Sequence, residues 1–243
     1  MAIKNEAVDY QYNNVPLQGM LAYDDAAGAG GKRPGVLVVH EWWGLNDYPK
    51  RRATQIATEL GYVAFALDMY GKGVTASGHE EAGKLMNALL TSPDARGRAQ
   101  AGLDVLRNHP KVDASRIAAV GYCMGGSMAV HMARACMPLV GVVSLHGTLK
   151  AENTQAGAIK AKILVCTGAD DPMMPPEKVN AFADEMQKAQ ADWQIHIYGG
   201  ARHAFTNPAA DSKGLPALKY DAKADKRSWE AMKDFFAECF ASR

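Results

Sequence analysis

A cysteine between two glycines is the feature of this sequence that most strongly indicates chemistry. Residues 121–125 read Gly-Tyr-Cys-Met-Gly, after an apolar stretch at 117–120 and before a segment with helical spacing. This pattern is typical of the glycine-x-nucleophile-x-glycine turn that joins a strand to a helix, with cysteine where serine is usual. Such a turn strains the backbone at the nucleophile and leaves no room for side chains two residues away on either side. We therefore predict that Cys123 is a nucleophile.

The expected place of Cys123 at a helix N-terminus supports this prediction. Unpaired backbone N–H groups and the helix dipole favour negative charge there, and the thiolate is the reactive form of cysteine. The backbone N–H of Met124 is then a natural oxyanion-hole donor. The competing interpretation is a buried structural cysteine. We adopt that interpretation for the three cysteines that lie in apolar segments without a glycine frame, which are Cys136, Cys166 and Cys239.

A thiol nucleophile needs a base, and the base needs an acid that orients it. In α/β-hydrolases the acid and then the histidine follow the nucleophile along the chain, each in a loop after a later strand. Of the seven histidines, only His203 lies in a glycine-rich loop after a late predicted strand, so it is the candidate base. Asp170 and Asp171 follow an earlier strand. Pro172 favours an extended residue before it and hence Asp171, but both remain open.

The loop after the first buried strand should supply a second oxyanion donor. Residues 40–44 read His-Glu-Trp-Trp-Gly, and by position the donor is the N–H of Trp42. Glu41 is either an ordinary solvated side chain or a carboxylate that controls the protonation of Cys123. Aromatic residues near such loops either line a pocket or belong to the core. The residues expected at the pocket are Trp43, Tyr70, His146 and Phe205.

The elements that position these residues alternate along the chain. An antiparallel hairpin is predicted for residues 8–12 and 16–23, joined at Asn13 and Asn14, before a loop at 26–31. The further predicted strands are residues 36–40, 62–67, 116–120, 139–145, 163–166 and 193–198, and the predicted helices are residues 47–60, 80–90, 93–108, 125–136, 177–189 and 222–240. Strands alternating with helices indicate a mainly parallel sheet with helices on both faces. We predict an α/β-hydrolase fold of about eight strands in a single domain over residues 1–243.

The composition excludes several classes of function. The formal net charge of +1 indicates neither a nucleic-acid partner nor an acidic tail. The N-terminus has no apolar signal region, and no apolar run approaches the roughly 20 residues that span a bilayer. Four scattered cysteines without a C-x-x-C pair argue against a disulfide scaffold and against a zinc or redox pair. We expect a cytoplasmic protein, a monomer or small homo-oligomer, that acts on a small molecule.

Taken together, the motifs resemble the dienelactone hydrolase family, also called carboxymethylenebutenolidases. The resemblance covers nearly the whole chain and includes residues 40–44, 66–71, 121–126, 168–172 and 200–205. It implies that Asp171 is the acid, that Glu41 is the neighbour of the thiol, and that Trp42 and Met124 are the oxyanion donors. It further implies hydrolysis of an ester or of a dienelactone-like enol-lactone through a thioester acyl-enzyme, without metal or cofactor.

The sequence departs from dienelactone hydrolases proper after His203. Those enzymes hold the substrate carboxylate with an arginine in this stretch, whereas residues 204–208 contain none and Asn207 stands there. A carboxylesterase or thioesterase of different acyl specificity is therefore the alternative within enzymes. From another class, a non-catalytic redox sensor would use an activated Cys123 and would not need His203.

Overall fold

The computed structural model describes residues 2–26 and 31–241, which form an eight-stranded mixed sheet with six α-helices and a short 3₁₀ turn. The strands are β1 (Ile3–Tyr12), β2 (Val15–Asp24), β3 (Arg33–Val39), β4 (Val63–Leu67), β5 (Val112–Tyr122), β6 (Gly141–Leu145), β7 (Lys162–Gly168) and β8 (Trp193–Tyr198). The helices are α1 (Asp47–Leu60), α2 (His79–Thr91), α3 (Ala95–Arg107), α4 (Met124–Arg134), α5 (Pro176–Lys188) and α6 (Ala222–Ala241), and the 3₁₀ turn is Asp211–Lys213. The strand order is β1-β2-β4-β3-β5-β6-β7-β8. The predicted α/β-hydrolase fold is confirmed.

The chain divides into two compact units, residues 1–119 and 120–243. The single domain expected over residues 1–243 stays a prediction. Residues 27–30 of the expected loop at 26–31 lie outside the described part of the chain. No helix among the described residues is long and apolar enough to cross a membrane.

The first unit contains the predicted hairpin. Asn13 and Asn14 have φ of +46° and +63°, the left-handed geometry that asparagine tolerates in a hairpin turn. β1 pairs antiparallel with β2, β2 pairs antiparallel with β4, and β3 runs parallel to β4. Helix α1 has the predicted bounds because Asn46 caps its first turn and Gly61, at φ +69°, ends it.

The second unit orders its strands so that the loops after them share one edge. β6 pairs parallel with β7, and β7 pairs parallel with β8. All residues of β6 are buried, as an apolar strand covered on both faces requires. Parallel strands end at the same edge of a sheet, so the loops that follow β6, β7 and β8 lie close together.

Several details differ from the sequence-based expectation, among them the start of β1, which lies at Ile3 rather than at residue 8. β5 spans Val112–Tyr122 rather than residues 116–120, because residues 113–116 are exposed or half-buried and interrupt the apolar pattern of a buried strand. Cys136 is exposed, so its interpretation as a buried structural cysteine is wrong. Helix α4 ends before it, and Cys136 has a φ of +53° that no helix residue adopts.

Candidate active site

Cys123 lies at the sharp turn between β5 and α4, with φ +54° and ψ −117°. The steric prediction is met for Gly121, since a Cβ there would lie 1.8 Å from the carbonyl oxygen of Gly125. A Cβ on Gly126 would lie 2.8 Å from Ser144 Oγ, so this glycine lets α4 pack closely on β6. The strained backbone and the two close approaches together fix the cysteine between strand and helix.

The backbone N–H of Cys123 has two acceptors. It donates to the carbonyl oxygen of Leu145 at 3.0 Å and to Nδ1 of His146 at 3.1 Å. Both acceptors lie where β6 ends, and His146 itself has a φ of +42°. The end of β6 therefore holds the nucleophile turn from one side.

His203 and Asp171 form a buried pair. Asp171 follows β7 and His203 follows β8, and His203 Nδ1 lies 2.8 Å from Asp171 Oδ2. Their side chains are 1% and 0% exposed, so water does not screen the contact. The other carboxylate oxygen of Asp171 accepts the N–H of Met173 at 2.8 Å, which fixes the plane of the carboxylate.

The structure distinguishes the two aspartates that the sequence left open. Asp170 is exposed, and its backbone N–H donates to the carbonyl oxygen of Ala201 at 3.0 Å. Asp171 alone of the two contacts the imidazole of His203. Asp170 thus ties the loop after β7 to the loop after β8, while Asp171 orients the histidine.

A segment near the end of the chain holds the loop of His203. The N–H of His203 donates to the carbonyl oxygen of Ala217 at 3.1 Å. The carbonyl oxygen of His203 accepts the N–H of Lys219 at 3.0 Å. Ala204 follows with a φ of +58°. Sequence reasoning did not identify this support, because neither Ala217 nor Lys219 carries a side chain that suggests it.

The electrostatics of His203 couple it to the cysteine. Burial opposes the charged imidazolium, but the interactions with Cys123 and Asp171 outweigh burial and raise the pKa of His203 to about 10. Nε2 of His203 is buried and makes no hydrogen bond of standard geometry with any described residue. This nitrogen is therefore the one available to exchange a proton at Cys123.

The other buried cysteines differ from Cys123. Burial raises the pKa of Cys166 to about 12 and that of Cys239 to about 12, so both remain neutral thiols. This agrees with their interpretation as structural. Cys123 itself is partly exposed and lies at the start of a helix.

The remaining predicted site residues are distributed over both units. Met124 is the first residue of α4 and is 3% exposed. In the first unit Glu41 is buried at 2% exposure, and the carbonyl oxygen of Trp42 accepts a hydrogen bond from Tyr70 at 3.0 Å. Trp43 is also buried. The roles predicted for Glu41, Trp42 and these aromatic residues stay predictions.

Phe205 and Asn207 follow His203. Phe205 is fully buried, and its ring packs edge-on against His146 at a centroid distance of 5.2 Å. Asn207 is buried, and its side-chain oxygen accepts the N–H of Ala209 at 3.0 Å, so it holds a turn. Among the described residues, no group of three or more His, Cys, Asp or Glu side chains could hold a metal ion.

Comparison with known proteins identifies the family of the chain. The model of the dienelactone hydrolase family matches residues 17–240. A protein of Aquifex aeolicus named as a carboxymethylenebutenolidase is 29% identical over 237 residues, which cover 95% of this chain and 97% of that protein.

Solved structures are similar over the whole chain. The crystal structure of a dienelactone hydrolase-like promiscuous phosphotriesterase from metagenomic libraries is 40% identical, with 99% and 100% of the two chains covered and a TM-score of 0.91. That of a dienelactone hydrolase from Klebsiella pneumoniae is 23% identical, with 98% and 99% covered and a TM-score of 0.81, and is evidence of the fold alone.

Proposed function

Because the chain belongs to the dienelactone hydrolase family, we propose that it hydrolyses a carboxylic ester or lactone with Cys123 as nucleophile, His203 as base and Asp171 as orienting acid. The observation that carries this proposal is the buried contact between His203 and Asp171, 2.8 Å long, with the thiolate of Cys123 acting on the same imidazole. A base oriented by an acid beside a nucleophile is the arrangement that acyl transfer needs.

The first half of the reaction forms a thioester. The thiolate of Cys123 attacks the carbonyl carbon, and the electron pair of the C=O bond moves to its oxygen. The N–H groups of Met124 and Trp42 stabilise this oxyanion, the second in the role that the family implies. The tetrahedral intermediate collapses, the C–O bond to the leaving group breaks, and the imidazolium of His203 gives that oxygen its proton.

The second half returns the enzyme to its resting state. Neutral His203 takes a proton from a water molecule while the oxygen of that water attacks the carbonyl carbon of the thioester. The C–S bond breaks, the carboxylic acid leaves, and the thiolate of Cys123 again faces an imidazolium. Asp171 stabilises that imidazolium and keeps its Nε2 directed at the sulfur throughout.

The chemistry of sulfur restricts the substrate. A thiolate is a better leaving group than an alkoxide, so a tetrahedral intermediate with a poor leaving group returns to reactants. Enol esters, enol lactones and aryl esters avoid this return because their leaving groups are stable anions. We therefore propose an activated ester or an enol lactone as the substrate class, with carboxylesters or thioesters of other acyl groups as the alternative.

Asn207 argues for a substrate that differs from dienelactone. In dienelactone hydrolases proper, an arginine in this stretch binds the carboxylate of the substrate. Here the amide oxygen of Asn207 holds a turn, and the guanidinium of Arg202 donates to the carbonyl oxygen of Pro216 at 3.1 Å. Both side chains therefore bind backbone groups of the protein rather than an anionic substrate.

Hydrolysis of phosphotriesters is a second candidate activity. The relative that is 40% identical over nearly both entire chains is described as a promiscuous phosphotriesterase. The same thiolate would attack phosphorus and expel an aryloxide, and water would then release the phosphoryl group from sulfur.

Glu41 keeps its proposed role as the carboxylate that controls the protonation of Cys123. We also retain as proposals a reducing cytoplasm, a monomer or small homo-oligomer, and no nucleic-acid partner.

The test is hydrolysis of p-nitrophenyl acetate, cis- and trans-dienelactone, a thioester and a diethyl aryl phosphate by the wild type and three variants. We expect Cys123→Ala and His203→Ala to lose at least about 100-fold in kcat on every ester that the wild type cleaves. Cys136→Ser, which changes the exposed thiol outside the site, is the matched control and should retain wild-type rates. Undiminished hydrolysis by Cys123→Ala would refute the proposal. Oxidation of Cys123 by peroxide without turnover of any ester would favour the redox-sensor alternative.

A further inference from the structure

The imidazole of His146 contacts the main chain of Cys123. Nδ1 of His146 accepts the N–H of Cys123 at 3.1 Å, and Nε2 lies 2.7 Å from Oγ1 of Thr206. His146 is 0% exposed and Thr206 is 1% exposed, so both contacts are shielded from solvent. The imidazole therefore joins the turn that carries Cys123 to the loop that carries the base.

The hydrogen bonds define the tautomer of His146. An N–H donor can only bond to a ring nitrogen that carries no proton, so Nδ1 is unprotonated. Nε2 then carries the proton and donates it to the hydroxyl of Thr206. His146 is a neutral imidazole in this arrangement, and protonation at Nδ1 would break the contact with Cys123.

The backbone N–H of Cys123 would have a hydrogen-bond acceptor even without His146. The N–H of Cys123 already donates to the carbonyl oxygen of Leu145 at 3.0 Å. The second acceptor therefore fixes the direction of the N–H bond, and with it the direction in which the side chain of Cys123 leaves the backbone. His146 also packs edge-on against His203, with ring centroids 5.3 Å apart, so one ring constrains both partners.

We propose that His146 is a positioning residue that holds the sulfur of Cys123 in line with Nε2 of His203, with Thr206 fixing its tautomer. This inference rests on the proposed function, because it assumes that Cys123 is the nucleophile. A displacement of about 1 Å in a reacting group can cost on the order of 100-fold in rate, so the effect should appear in the rate of acylation rather than in substrate binding.

Two conservative variants separate the halves of the contact. An asparagine places its amide where Nδ1 lies, so His146→Asn keeps an acceptor for Cys123. A glutamine places its amide near Nε2, so His146→Gln keeps only the partner of Thr206. We expect His146→Gln to lose about 10- to 100-fold in the acylation rate, with the dissociation constant of the substrate within about twofold. His146→Asn should recover most of that loss.

Thr206 provides a test that leaves the backbone at position 146 unchanged. Asparagine also tolerates the φ of +42° at this position, so its rescue alone could reflect backbone relief. Thr206→Val should lower the acylation rate about 5-fold, the size of one lost hydrogen bond, while Thr206→Ser recovers it.

The measurement is pre-steady-state hydrolysis of p-nitrophenyl acetate, in which the burst amplitude counts active sites and the burst rate gives acylation per site. The inference predicts slower bursts of full amplitude in His146→Gln and Thr206→Val, with melting temperatures close to those of their conservative partners. Bursts of reduced amplitude and unchanged rate would show a merely structural role and overturn the inference, as would wild-type rates in His146→Gln.

If Cys123→Ala is inactive while the His146 variants are not impaired, only this inference fails. An active Cys123→Ala refutes the proposed function as well.

Discussion

Asp170 and Asp171 are adjacent in sequence but lie in different environments. The carboxylate of Asp171 is buried against His203, whereas Asp170 is exposed to solvent. A buried contact of this kind stabilises the imidazolium that forms during acyl transfer and keeps the ring in the correct tautomer. The pair therefore offers a test in which the two variants differ by one position.

We predict that Asp171→Asn loses at least about 100-fold in kcat, because an amide neither stabilises the imidazolium nor fixes its tautomer. Asp170→Asn is the matched control and should stay within about threefold of the wild type, since exposed charges contribute little. Steady-state kinetics on an activated ester measures both. Equal losses in the two variants would contradict the assignment of Asp171.

The raised pKa of His203 predicts the alkaline limb of the activity. Burial lowers this pKa, but the interactions with Cys123 and Asp171 outweigh burial and raise the pKa to about 10. The imidazolium protonates the leaving group, so kcat/KM should fall as pH rises through about 10. In Asp171→Asn one of the raising interactions is lost, and the limb should move to lower pH. A limb at the same pH in both proteins would contradict this origin.

The same pKa has a consequence for stability. A histidine whose pKa is raised from 6.5 to about 10 on folding contributes stability that is fully present below pH 6.5 and is lost as pH rises through about 10. Urea unfolding of the wild type and His203→Gln measures it. The difference in their free energies of unfolding should shrink from pH 6.5 to 10, and a difference that grows over this range would contradict the assigned shift.

The turn between β5 and α4 depends on Gly121 for steric reasons. A Cβ at this position would lie 1.8 Å from the carbonyl oxygen of Gly125, and backbone cannot yield as a flexible side chain can. We predict that Gly121→Ala lowers the free energy of unfolding by about 3 kcal/mol or more and abolishes activity.

Gly83 is the matched control for that substitution. It lies inside α2, and a Cβ there would meet no atom within 4 Å. Because alanine favours helix over glycine, Gly83→Ala should raise stability by about 0.5–1 kcal/mol. Chemical denaturation of both variants tests the pair, and equal effects would contradict the steric account.

Helices α4 and α5 are joined by a buried ion pair. Arg134 donates to both carboxylate oxygens of Glu185, at 2.9 and 2.6 Å, and Glu185 also accepts from the hydroxyl of Thr154 at 2.6 Å. The side chains of Arg134 and Glu185 are 9% and 2% exposed. Removal of Arg134 leaves the Glu185 carboxylate buried without an opposite charge.

We predict that Arg134→Met lowers the free energy of unfolding by about 3–5 kcal/mol, while the double variant Arg134→Met/Glu185→Leu recovers part of that loss. Urea denaturation of the wild type, both single variants and the double variant gives the coupling between the two side chains. An additive double variant would contradict a direct interaction.

For the whole molecule, sequence patterns predicted the features that follow from local chemistry. The order of strands and helices could be predicted because buried strands are continuous apolar runs, and α1 could be bounded because Asn46 and Gly61 cap it. The turn at Cys123 could be predicted because only glycine fits at Gly121. Its neighbours along the chain determine each of these features.

Contacts between distant segments could not be predicted in the same way. Spacing does not distinguish Asp170 from Asp171, since the choice depends on which side chain turns toward the loop after β8. The sequence marked His146 as a pocket residue, but its bond to the N–H of Cys123 depends on a φ of +42° that the residue type does not predict. The exposed Cys136 was misjudged because an apolar neighbourhood in sequence does not ensure burial.

If Cys123 is the nucleophile, its sulfur carries the acyl group during turnover. Rapid acid quenching of the wild type during hydrolysis of p-nitrophenyl acetate, followed by peptide mass spectrometry, tests it directly. We predict an acetyl group on the peptide that contains Cys123, formed as fast as the burst of p-nitrophenolate and absent in Cys123→Ala. Steady turnover with no acetyl group on that peptide, at a rate that Cys123→Ala matches, would contradict it.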